Sequence, residues 1–150
     1  KVKIMQPTET LLSLKRLLAD SYLLALKTQN AHWHVKGSNF FSLHQLFEEQ
    51  YKELVEAIDE IAERIVSLGE SAPASMEQFL TLTQLSEITE QVSGQDYLNE
   101  LAQDQLKLVI SAKEIVKEAE AEQDVVSADL ATQRIAVHQK NAWMLKASLN

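Results

Sequence analysis

The sequence predicts an all-α protein, and three observations carry that expectation. Four long segments repeat apolar residues at three- and four-residue steps, the period of a helix with one buried face. The residues that break helices, Pro7, Gly37, Gly69, Pro73 and Gly94, all fall at boundaries between these segments. A linker separates the second segment from the third and leaves room for a crossover, so the arrangement is a four-helix bundle with a short extra helix in that crossover.

The first helix is expected over about Thr8 to Val35, where Leu11, Leu14, Leu18, Tyr22 and Ala25 form the inward stripe. The second runs over about Asn39 to Leu68. Phe47, Tyr51, Leu54, Ile58, Ile61, Ile65 and Leu68 give it a heptad seam, and Gly69 suits a left-handed C-terminal cap. A short helix over Ser75 to Leu82 follows, with Ser75 as its N-cap. The third long helix covers about Gln95 to Gln123, with Leu98, Leu101, Leu108, Ala112, Ile115 and Ala119 facing inward. The fourth covers about Val125 to Leu149, with Val126, Leu130, Val137, Ala142, Leu145 and Leu149 as its stripe.

Residues 1–150 are of a length that forms one domain and buries about 70% of its unfolded surface. The absence of cysteine excludes disulfides, thiolate zinc sites and cysteine nucleophiles. A net charge of -8 argues against a general nucleic-acid surface and favours cations as ligands. No apolar run approaches the roughly 20 residues of a membrane span, and no signal peptide is recognisable.

His32, His44, Glu48, Asp59 and Glu63 are the candidate site residues. The last four share the second helix and one narrow stripe. At 100° per residue, Glu48, Asp59 and Glu63 lie about 40°, 60° and 100° round from His44. Two imidazoles with several carboxylates suit iron, manganese or zinc, and they resemble ligands for redox-active iron more than a structural zinc set. His44 and Asp59, however, are roughly 22 Å apart along the helix axis, too far to share one metal within one chain. A two-fold dimer in which this helix packs antiparallel on its own copy removes the difficulty. His44 opposite Glu63 and Glu48 opposite Asp59 then satisfy the same register, with the axis near Glu53 and Leu54. The residues themselves leave two readings open, this shared site and a charged helix whose solvated face carries them by chance.

His32 and His44 flank the turn at Gly37, which brings their imidazoles together. His34 and His138 read as structural histidines. Trp143 reads as core, and so does Trp33, for which an oxidisable ring near a metal is the sharper alternative. Arg64 is expected to form ion pairs near Glu63. The acidic run Glu118, Glu120, Glu122, Asp124 and Asp129 reads as a solvated loop, although acids at a helix C-terminus oppose the macrodipole.

From Asn30 to Gly69 the chain reads HWHVKG, NFFSLH, DEIAER and SLG in succession. This resembles the Dps family, small ferritin-like proteins of starved bacterial cells. The HW pair, the second histidine twelve residues on, the carboxylate four beyond it and the D-x-x-x-E-R pair all match. Relatives often carry aspartate where Glu48 stands, one methylene longer. The resemblance extends over all four helices and implies a cytoplasmic, ferritin-like bundle that assembles into a hollow dodecamer. It further implies that Fe(II) is oxidised, preferentially by hydrogen peroxide, at ferroxidase centres on two-fold interfaces, and that ferric mineral is stored inside. His32, His44, Glu48, Asp59 and Glu63 would be both catalytic and metal-binding, with one well-held metal and a weaker neighbour. Other divalent metals would fit the same donors. Asp124 and Asp129 would line an iron-entry pore. DNA compaction near the nucleoid, known for family members with lysine-rich tails, is the alternative. Lys1, Lys3 and the Lys146–Asn150 end supply few cations for it, so DNA binding is expected to be weak or absent.

Overall fold

The computed structural model describes residues 8–150, so Lys1, Lys3 and Pro7 lie outside the described residues. Five helices follow in order: α1 Glu9–His34, α2 Phe40–Ser67, α3 Met76–Leu82, α4 Gly94–Ala121 and α5 Val125–Ala147. The described residues contain no strand, as the sequence predicts. Capping residues set most boundaries. Thr8, Ser75, Ser93 and Asp124 each accept a backbone N–H from the first turn of their helix. Gly69, at φ 91°, ends α2 with its own N–H donated to the Val66 carbonyl.

Gly94 is the first residue of α4 and not a break before it. A Cβ there would stand 3.4 Å from Val35 Cγ2 and 3.6 Å from Leu43 Cδ1, ordinary van der Waals contact, so the start of α4 lies against the α1–α2 turn. Between α4 and α5 the turn is made by Gln123 at φ 61°.

α1 packs on α2, and α4 on α5. Contacts from Lys27 to Asp104 and from Ser13 to Glu118 show that α1 and α4 run antiparallel. The long connection through α3 therefore leaves α2 and α4 parallel, the one-crossover form of the bundle. Buried Asp20 on α1 holds this crossover, its Oδ1 accepting from the Thr83 hydroxyl and the Gln84 N–H, both at 2.7 Å.

Tyr97, Phe47, Leu14, Leu17, Leu18, Leu24, Leu54, Ile61, Ile65, Leu98, Leu101 and Leu108 are the largest side chains of the fully buried core. The expected stripe of α4 is buried throughout, whereas on α2 Tyr51, Ile58 and Leu68 sit at the margin. Tyr22 is 39% exposed and stacks on Phe79 of α3. The α5 expectation needs correction. Ala142 and Leu145 are buried, but Val126 is exposed and Leu130, Val137 and Leu149 are half-buried. The inward face of α5 carries Ser127, Ala128, Ala131, Arg134, His138 and Asn141. Neither tryptophan is core: Trp33 is 58% exposed and Trp143 65%. Each follows a buried neighbour, His32 or Ala142, and so turns about 100° away from the interior.

Candidate metal centre

His32 lies in the last turn of α1 and His44 near the start of α2, and the short connection at Gly37 folds one helix back on the other. Their rings stack with centroids 3.7 Å apart and planes 12° from parallel. Each Nδ1–H donates to the other residue's backbone carbonyl, and both bonds are 2.7 Å. This reciprocal pairing commits Nδ1 of each ring to the backbone and leaves Nε2 as the nitrogen turned to a metal. Phe40 stacks on the outer side of His44 at 5.0 Å, and Tyr51 meets His32 edge-on at 5.3 Å. Both imidazoles are thus held from the side as well as by their Nδ1 bonds, and bonds of that second kind orient metal-binding histidines.

Glu48 sits one turn beyond His44 and pairs with Lys52 at 2.8 Å. The hydrogen bond and charge of Lys52 hold its carboxyl below the usual range, and His32 and His44 add to the effect. The structure therefore brings His32, His44 and Glu48 into one electrostatic neighbourhood. Asp59 and Glu63 are exposed farther along α2. No group of three or more histidine, aspartate or glutamate side chains placed to hold a metal occurs among the described residues. Within one protomer the five residues remain in two sets, at opposite ends of a stripe.

Residues 11–150 match the family model described as "Ferritin-like domain". The chain is 37% identical over 137 residues to the DNA protection during starvation protein of Helicobacter pylori, covering 91% of this chain and 95% of that one. The chain belongs to the Dps family of ferritin-like proteins. Dps from Staphylococcus aureus has the same fold at a TM-score of 0.91 and 31% identity, with 95% of each chain covered. A Dps protein from Vibrio cholerae, described as a member of a broad superfamily of ferritin-like diiron-carboxylate proteins, matches at a TM-score of 0.89 and 31% identity. That match covers 93% of this chain and 87% of the other.

The other residues that the sequence singles out lie elsewhere on the bundle. Arg64, beside Glu63, reaches away to α5, where Nη2 donates to Asp124 Oδ1 at 2.7 Å and Nε to Ser127 Oγ at 3.0 Å. Asp124 also caps α5 through the Ser127 N–H. Burial alone would raise its carboxyl, but the bonds from Ser127 and the charge of Arg64 outweigh this and hold it below the usual range. Asp124 followed directly by a helical run is an N-cap pattern visible in the sequence. Asp129 is exposed and accepts from Gln133 at 3.0 Å. His34 bonds within its own turn to Asn30, and His138 is fully buried, in keeping with their structural reading. Burial, followed by the charge of Arg134, pushes the His138 imidazole down to about 3, so it is neutral. No helix of the described residues is long and apolar enough to cross a membrane.

Proposed function

We propose that this chain is a ferroxidase and iron-storing mini-ferritin, acting on Fe(II) with hydrogen peroxide at centres shared between two copies. The observation that carries the reading is the division of α2. A pair of stacked imidazoles with free Nε2 atoms stands at one end, and two exposed carboxylates stand about 22 Å away at the other.

A copy related by a two-fold axis near Glu53 and Leu54 would set His44 opposite Glu63 and Glu48 opposite Asp59. The surface beside that axis supports this. Val55, Leu26, Met76 and Leu80 are each about half exposed or more, and with Tyr22 and Phe79 they line an apolar hollow of about 400 Å³. A neighbouring groove of about 700 Å³ carries Asp59 among Val55, Ile58, Ala62 and Met76. Contiguous apolar surface of this kind marks a contact with another chain. Asp59 thus belongs to the same surface that would receive the second copy.

In this reading His32 and His44 hold ferrous iron through Nε2 while the partner's Asp59 and Glu63 neutralise its charge and favour the ferric product. Glu48 exchanges its bond with Lys52 for a weaker second metal position. Two Fe(II) ions and one hydrogen peroxide, with two protons, give two Fe(III) ions and two waters. Supplying both electrons together avoids the hydroxyl radical that a single-electron step releases. Further contacts close a dodecameric shell in which the product is stored, with Asp129 and, behind its ion pair, Asp124 near the entry route. The reading places the protein in the cytoplasm and its role in protection against peroxide.

Replacing both Asp59→Asn and Glu63→Gln tests the site. Rapid oxidation in stopped-flow absorbance should fall to background while the helical circular dichroism is unchanged, because the amides keep shape and remove charge. Unchanged rates would move the chemistry elsewhere.

A further inference from the structure

Between its two donor sets the stripe of α2 carries a single cation. The helix has one lysine and one arginine, Lys52 and Arg64, and Arg64 is turned to Asp124 and Ser127 at the start of α5. Lys52 lies about 80° round from His44, between Asp59 at about 60° and Glu63 at about 100°. Along the axis it stands about 12 Å from His44 and about 10 Å from Asp59. Helical side chains lean toward the N-terminus, so Lys52 reaches back toward the imidazoles and not forward toward Asp59. Its Nζ lies 2.8 Å from Glu48 Oε1, although Glu49, Glu53 and Glu56 also stand within a turn or so of it. Glu48 in turn feels the charges of His32 and His44. The ammonium is therefore seated on a carboxylate in the electrostatic neighbourhood of the imidazole pair.

In two-metal sites the ions lie about 3.5–4 Å apart. A second ion at that distance from one held by His32 and His44 has Glu48 as its donor on the same chain. In the register proposed above, Asp59 of the second copy comes opposite Glu48, while Lys52 falls opposite Val55. Assembly thus sets no carboxylate directly opposite Lys52, and its ammonium is left on Glu48, where the charge of a second metal would otherwise sit. The pair is exposed, with side chains 65% and 37% accessible, and one helical turn separates its members. Such pairs are weak enough for a doubly charged ion to displace.

We infer that Lys52 is a built-in counter-ion of the second metal position: its ammonium holds that position on Glu48 until a second divalent cation displaces it, so the centre fills in two unequal steps. Lys52 is thereby a specificity-determining residue for the number of ions held at rest, one and not two. This role rests on the proposed function and deepens it, by assigning the weakness of the second position to one charge. Once displaced, the ammonium stays tethered to α2. At about 8 Å from the ion that replaces it, repulsion in water weakens the binding of that ion about fivefold.

The test titrates Co(II) alone, without oxidant, into the assembled protein and follows its visible absorption. The unaltered chain should show a tight step and a separate weak one. Lys52→Gln keeps a polar side chain and removes the charge. It should tighten the weak step about fivefold at about 0.01 M salt, and the gain should vanish near 1 M, where the Debye length is about 3 Å. Lys52→Arg, which keeps the charge, should titrate like the unaltered chain. Glu48→Gln should abolish the weak step with or without Lys52→Gln, and anomalous scattering from cobalt-soaked crystals should place the second ion beside Glu48. Because Lys52 is exposed, its variants keep the fold. An unchanged weak step in Lys52→Gln, an equal gain in Lys52→Arg, or a gain that survives high salt would overturn the inference. Failure of the shared centre would appear separately, in a tight step that survives Asp59→Asn with Glu63→Gln.

Discussion

Complementation between two broken chains probes the shared centre most directly. One variant lacks His32 and His44, the other lacks Asp59 and Glu63. Fifteen residues of α2 separate His44 from Asp59, about 22 Å of helix, whereas metal–ligand bonds are about 2 Å long. Side chains at the two ends cannot meet on one ion, so each variant alone should be inactive. In a two-fold pair of unlike chains, one composite centre has lost all four ligands. The other keeps both histidines from the second variant and both carboxylates from the first. Random pairing of equal amounts makes half of the dimers mixed, and each mixed dimer carries one intact centre of two. About a quarter of the wild-type centres should therefore return. Co-expression with two affinity tags isolates the mixed assemblies, and stopped-flow oxidation per chain measures recovery. Mixed assemblies as inactive as their parents would refute the shared centre, because a centre within one chain has no route to rescue.

Three other outcomes are expected. Light scattering at neutral pH should give a closed oligomer, with a mass near twelve chains; a stable monomer that still oxidises iron would contradict the interface. Plasmid should migrate unretarded with the 150-residue form at physiological salt, because a net charge of -8 repels phosphate; a salt-sensitive gel shift would favour DNA compaction. Asp20→Ala should cost about 1–3 kcal/mol in chemical denaturation, since the Thr83 hydroxyl and Gln84 N–H lose their acceptor. Burial raises the Asp20 carboxyl despite those two bonds. The folded chain therefore holds this proton more tightly than the unfolded one. The Asp20 share of stability is then greatest at low pH and is lost as pH rises from the ordinary carboxylate range through the raised value. Asp20→Asn, which keeps an oxygen for both donors, should remove that part of the pH dependence of Tm.

The helices were legible in the sequence because their ends are written in it. Thr8, Ser75 and Ser93 cap as such residues do, and Gly69 terminates α2 in the left-handed region. α5 is less legible for a specific reason. A search for apolar periodicity selects Val126, Leu130 and Val137, but the buried face is made of Arg134, His138 and Asn141, polar residues whose burial depends on partners from other helices. For Trp33 and Trp143 size and apolarity suggest burial, whereas helical phase puts both outside. At the candidate centre, spacing points to His32 and His44 and sets Asp59 and Glu63 too far along α2 to join them within one chain. It could not show the reciprocal Nδ1 bonds, which arise only when the turn at Gly37 brings two backbone carbonyls beside two rings.

Dividing the centre between two chains also makes the proposed chemistry contingent on assembly. A lone protomer offers iron the two imidazoles and a Glu48 already engaged by Lys52, with no carboxylate from Asp59 or Glu63 nearby. Ferrous iron should bind such a protomer weakly, and little oxidation should occur on it. Joining two copies places the missing acids and covers the apolar surface around Val55, Leu26 and Met76 in the same step. Iron that binds only the joined form must in turn stabilise it, by linkage between ligand binding and association.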